Sequence, residues 1–182
     1  MKRVEIESKL NESRNRLLSL YADLTDEQLT RPLTASEHDP NVLWSALDHF
    51  GHLALVETNF VTMIRRHLTG HVNPVGLLTN ASGEPRSREQ ILAGVHAMTD
   101  RYQREHHNDS LSRVVALTAD ARGVTLRLLS ELTDEQLEEP LVGAPWADGT
   151  VGGVIATNAQ HARMHWKWVA EAGLVPNDAA GP

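Results

Sequence analysis

Apolar positions recur every three or four residues along almost the whole chain, the spacing of helix faces that pack against a core. Val4, Leu10, Leu17, Leu18, Tyr21 and Leu24 mark a first helix over residues 3–23. Leu43, Leu47, Phe50, Ala54, Val61 and Ile64 mark a second, capped by Asn41 and running to residue 69, where Gly70 provides a stop. A loop rich in Gly, Pro and Asn fills 70–86. Ser87 and Gln90 stand at capping-box spacing and open a third helical stretch, whose apolar period continues to Leu132. One helix of that length would overrun its neighbours, so a break is expected at 107–110, where Asn108, Asp109 and Ser110 cluster. The last helix is expected over 151–172. Period-two alternation is nowhere sustained, and no sheet is predicted.

The hexapeptide LTDEQL occurs twice, at 24–29 and 132–137. Each copy is a helix-start signal. Thr25 can cap a helix and Gln28 can reach back to it, while Leu24 and Leu29 can close a hydrophobic staple. Asp26 and Glu27 suit the positive end of the helix dipole. Thr133, Gln136, Leu132 and Leu137 repeat the arrangement. Pro32 and Pro140 stop both helices within two turns. Each copy therefore ends one long helix and leads through a loop into another. The first leads to a helix bearing His52, the second to one bearing His161, at nearly equal distances. Two such hairpins make a four-helix bundle, with an extra helical segment near 88–106 in the connection.

Composition narrows the chemistry. A length of 182 residues fits one domain with a core of its own: a single unit over 1–175, with a loose C-terminal tail at 176–182. The chain has no cysteine, so it can supply neither disulfides nor thiolates. Its net charge of −7 argues against a nucleic-acid partner. No apolar run reaches the ~18 residues of a membrane span, and the N-terminal stretch MKRVEIESKL has no apolar segment of the signal-peptide kind. A cytoplasmic setting and no membrane partner are expected.

Ten histidines are present, enough that chance alone gives roughly half an i,i+4 pair on a helix. His67 and His71 are separated by Gly70 and read as accidental. His161 and His165, in HARMH, lie within a strong helix on the stripe of Val151, Val154, Asn158, Ala162 and Val169. A buried imidazole pair needs partners; a divalent metal, or hydrogen bonds within the core, would serve. A third ligand could come from the second helix, where the wheel angle places His49 nearer the apolar stripe and His52 on the more polar side with Asp48 and Asn59, so geometry alone favours His49. Glu57 falls within the stripe, costly for a carboxylate unless it is paired or bound, and is a candidate ligand or supporting group. Di-iron bundles need Glu-x-x-His, and no histidine here has Glu three residues before it; HExxH, the P-loop and G-x-G-x-x-G are also absent.

Taken together, LTDEQLTRPL, WSALDHFGHLALVE and TVGGVIATNAQHARMHW resemble the DinB/YfiT-like superfamily of bacterial helical bundles, over roughly residues 10–170. The resemblance implies an all-α, up-down-down-up four-helix bundle and frequent homodimers, for which Leu55 and Met63 offer apolar surface. It implies a ligand eight residues after a tryptophan, which is His52 after Trp44, and a His-x-x-x-His pair on the last helix, His161 and His165. Zinc, nickel or iron would be the metal. The activity implied is that of a transferase or isomerase acting on a small molecule with a low-molecular-weight thiol such as mycothiol, bacillithiol or glutathione; the alternative is a non-enzymatic, stress-associated bundle that binds a small molecule or protein, with a vestigial metal site. Ergothioneine-pathway relatives carry an acidic residue two after the second histidine, where this chain has Lys167. Asn158, one turn before His161, is the expected outer partner of the ligands.

Overall fold

A computed structural model describes residues 1–36 and 39–174; the tail expected at 176–182 lies outside the described residues. The chain is mostly helical. Its long helices are α1 (Arg3–Ala22), α3 (Ala46–Leu68), α4 (Arg88–His106), α5 (Leu111–Glu131) and α7 (Val151–Val169), with two five-residue helices, α2 (Asp26–Thr30) and α6 (Asp134–Glu138). Beyond α7 the backbone widens into a π-type turn, Ala170–Leu174, with Gly173 at φ 81°. No helix is long and apolar enough to cross a membrane.

The two LTDEQL copies form α2 and α6 with their caps. Gln28 donates its backbone N–H to the Thr25 hydroxyl, and its side chain accepts from the Thr25 N–H at 2.9 Å. Thr133 and Gln136 repeat both bonds. The staple leucines then take different destinations. Leu24 and Leu29 join a core cluster with Leu17, Tyr21, Ala46, Leu47, Phe50 and Trp166. Leu132 and Leu137 join a second cluster with Ile6, Leu10, Phe60, Ile64, Leu128, Val151 and Val154. Each copy thus closes one of two separate cores.

Helices α1, α3, α5 and α7 pack as a ring, α3 against α5 and α7, and α1 against α7 and α5. The break expected at 107–110 is present, and Ser110 caps α5 by accepting from the Arg113 N–H. Helix α3 begins later than the sequence suggests. Ser45, not Asn41, is its cap: the Ser45 hydroxyl accepts from the Asp48 N–H, and the Asp48 carboxylate accepts from the Ser45 N–H at 2.8 Å. The residues before it enter a short antiparallel pair where no sheet is expected from the sequence, β1 (Thr34–Ala35) with β2 (Leu43–Trp44). Two residues per strand are too few to show a period, so the pattern carries no trace of it.

Helix α4 is attached differently from the rest. It packs chiefly on α3, and its buried residues are polar, Thr99 and Gln103. The anchor is the buried carboxylate of Asp48, which accepts from Gln103 Nε2 at 3.3 Å and bonds His107 Nδ1 at 3.0 Å. Leu55 and Met63, expected as surface for a partner chain, are half-buried, and Met63 packs against the second cluster.

Candidate metal centre

The corners decide where the histidine-bearing helices start. On α7, Thr150 is the cap, accepting from the Gly153 N–H at 3.0 Å. Its second residue, Gly152, sits so close to α6 that a Cβ would stand 3.0 Å from the Leu137 carbonyl and 3.3 Å from Ile6. The second LTDEQL copy therefore seats α7 directly. On α3, the Ser45–Asp48 box fixes the first turn, and Trp44 just before it is buried against both His49 and His52, with ring centroids 5.2 Å apart in each case.

These starts bring His52, His161 and His165 together. Each offers one ring nitrogen, and the three atoms lie within 4.8 Å of one another, a group that could hold a metal ion. The Nε2 atoms of His161 and His165 face each other at 2.9 Å. Two metal–nitrogen bonds of about 2.0–2.1 Å span about 2.9 Å when they meet at a right angle and about 3.3 Å at the tetrahedral angle, so the spacing suits a shared cation. His52 Nδ1 is buried without a hydrogen-bond partner. Burial is the first cause of low basicity throughout the group. It pushes His52 down to about 3, helped by His161 and His49, and His161 down to about 4. His165 is held well below the usual imidazole value by burial and then by its three histidine neighbours. All three are neutral at pH 7, the form that binds metals.

His49 has a part that the sequence did not reveal. It is buried as its wheel angle suggests, yet it stands behind the group: its Nδ1 meets His165 Nδ1 at 2.9 Å, and its Nε2 meets the Thr34 hydroxyl at 2.8 Å. Burial lowers His49 to about 4 against the opposing charge of Asp48. For His165 to keep the Nε2 lone pair free, its Nδ1 must carry the proton and donate to His49. His49 is then protonated on Nε2 and donates to Thr34. The chain Thr34–His49–His165 fixes the tautomer and ring plane of a ligand from outside the group. Trp168 adds a ring contact to His165, centroids 4.9 Å apart, whereas Trp166 is buried in the core around Tyr21.

Two expectations are corrected. Asn158 lines the same cavity as His161, but its amide donates to the Ile155 carbonyl at 3.2 Å and not to an imidazole. Glu57 is neither a ligand nor exposed: it is buried against Arg122, with Nε to Oε1 at 2.6 Å and a second contact at 3.3 Å. Arg122 also donates to the Leu10 carbonyl. His71 lies past the end of α3, and His67 pairs with Glu139 at 3.1 Å, so that pair is not a site.

A family model described as the DinB superfamily matches residues 9–169. The chain belongs to the DinB superfamily. No curated protein and no solved structure matches it. Helices α3 and α7, which bear the three histidines, both fall inside the matched span.

Proposed function

We propose that this DinB superfamily chain is a metal-dependent enzyme, with His52, His161 and His165 as the ligands of a divalent zinc, nickel or iron ion. The observation that carries the reading is the convergence of three neutral imidazoles beside a cavity of about 20 Å³ that His161 shares with Phe50, Leu53 and Ala162. The reaction we assign is S-transfer, or a related transfer or isomerisation, with a low-molecular-weight thiol such as mycothiol, bacillithiol or glutathione. When bound, such an ion leaves coordination positions open and lowers the pKa of a thiol in them. The chain's own residues then have defined tasks. The neutral histidines present lone pairs without first losing protons, and His49 and Thr34 hold His165 in one orientation. The lack of cysteine accords with sulfur arriving on a cosubstrate. The same reading includes the up-down-down-up order of the four ringed helices, a homodimer and a cytoplasmic setting.

The small size of the cavity, room for about one water, favours a second reading, a non-catalytic bundle with a vestigial site. Elemental analysis of protein purified without a polyhistidine tag separates the two. Wild type incubated with each metal should hold one equivalent, and His52→Ala, His161→Ala and His165→Ala should each lose it while keeping their helical spectrum. Wild type without stoichiometric metal would remove the mechanism and leave the second reading.

A further inference from the structure

A second gap, of about 10 Å³, lies between α3 and α4, where Trp44, Asp48, His52, Tyr102 and Gln103 help to line it. Two of these side chains carry a polar atom that the protein leaves unserved. Trp44 Nε1 and His52 Nδ1 are both buried, and among the described residues neither has a hydrogen-bond partner. Their rings lie edge to face, with centroids 5.2 Å apart. An indole nitrogen can only donate, and a buried donor without an acceptor is unfavourable. Asp48 is not that acceptor. Its carboxylate already receives the N–H and hydroxyl of Ser45, the amide of Gln103 and the ring of His107, which fills the lone pairs of its two oxygens. Gln103 has an acceptor to spare. It is buried, and its Nε2 donates to Asp48 Oδ1 at 3.3 Å. That bond settles which end of the amide is nitrogen, and among the described residues no hydrogen bond ends on the oxygen at the other end. A gap of this size has room for about one water, which needs roughly two to four polar partners. Trp44 Nε1, His52 Nδ1 and Gln103 Oε1 are such a set.

We infer that one buried water bridges these three groups, accepting from Trp44 Nε1–H and His52 Nδ1–H and donating to Gln103 Oε1, and that it fixes the tautomer of His52. A neutral imidazole carries a single N–H, so a proton held on Nδ1 leaves the Nε2 lone pair for the group with His161 and His165. The consequence rests on the metal reading above: the water does for His52 what His49 and Thr34 do for His165. Gln103 thereby becomes a positioning residue, and α4 supports a metal ligand that it does not itself carry.

Nuclear magnetic resonance of nitrogen-15-labelled, metal-free protein tests this directly. The Trp44 Nε1–H proton should show cross-relaxation with a long-lived water, and long-range proton–nitrogen correlations should find the His52 proton on Nδ1. Two variants then separate the oxygen of Gln103 from its role in holding α4. Gln103→Met and Gln103→Glu both lose the donor to Asp48, so a merely structural role would move them alike. Gln103→Glu keeps an acceptor and should keep the wild-type tautomer. Gln103→Met should give a mixture of tautomers and bind zinc about tenfold more weakly in competition with a chelator. The inference is overturned if the Trp44 proton sees no bound water, as when the Tyr102 hydroxyl takes that place. A His52 proton on Nε2 in wild type, or the same behaviour in the two variants, overturns it as well. Should Gln103→Met fail to fold, the two wild-type observations decide. Should wild type bind no zinc, the metal reading fails, and the same two observations still decide the water.

Discussion

In one buried cluster Glu57 and Arg122 meet through two bonds, and Arg122 turns its third donor to a main-chain carbonyl. In the other, borne on the same helix α3 and on α7, His52, His161 and His165 point ring nitrogens at one another. The two clusters touch the same cavity, yet their hydrogen-bond accounts are opposite. The ion pair closes on itself and needs nothing from outside, as a structural pair does. The histidine group joins His161 and His165 through their Nε2 atoms at 2.9 Å and leaves a nitrogen of His52 without a partner, so one of its valences stays open. What marks a binding group in a helical interior is therefore less the polar residues themselves than whether their valences are already spent.

The contrast can be broken from the histidine side first. Zinc should raise the melting temperature of wild type with the logarithm of its free concentration above Kd, as for any ligand of the native state alone, and His165→Ala should abolish that rise; calorimetry checks both. From the other side, Glu57→Ala strands the Arg122 charge and should cost about 3–5 kcal/mol in urea unfolding, whereas the double change Glu57→Leu with Arg122→Met should be near neutral. A large loss in the double variant would show that the pair does more than neutralise itself.

Acid should separate the clusters further. The native imidazoles titrate near 3 for His52 and 4 for His49 and His161, against about 6.5 in the unfolded chain. Between those values the unfolded state binds more protons, so stability rises with pH there. The contribution is present in full above about pH 6.5 and drains away as pH falls towards 3–4. Melting of metal-free protein between pH 7.5 and 4 tests the direction, and a flat profile would contradict a neutral group. A smaller effect sharpens the role of His49. His49→Ala should weaken zinc binding about 10–100-fold through lost orientation of His165, measured by competition with a chelator, with Thr34→Val lying below that.

Legibility followed distance along the chain. The caps of α2 and α6 were readable because donor and acceptor lie three residues apart, and His161 with His165 because one helical turn joins them. His52 came from a resemblance. The wheel angle favours His49 over His52 as a ligand; His49 is inward, but it meets His165, 116 residues away, and His52 is the one grouped with His161 and His165, since no local pattern encodes which nitrogen a ring will meet. Glu57 is visible in the sequence as an anomaly but its Arg122 partner is not, and Asn158 faces the cavity without reaching a ring because its amide bonds the Ile155 carbonyl. Smallest among the expected effects are the corners themselves: Thr25→Ala and Thr133→Ala should each cost about 1 kcal/mol, and unequal costs would show that one of the two cores depends more on its plug.

Helix α4 has a consequence of its own. Its Gln103 and the adjoining His107 hold it to Asp48, and it buries little apolar area, so its opening free energy should be far below that of the ring of helices. The gap that it covers on α3, about 10 Å³ in size, is bordered by His52 and Tyr102. In the native state, then, the backbone amides of 88–106 should exchange with deuterium well before those of α3 or α7. Each such excursion would uncover the outer side of His52 while both cores stay shut, which separates the timescale of access from the timescale of unfolding.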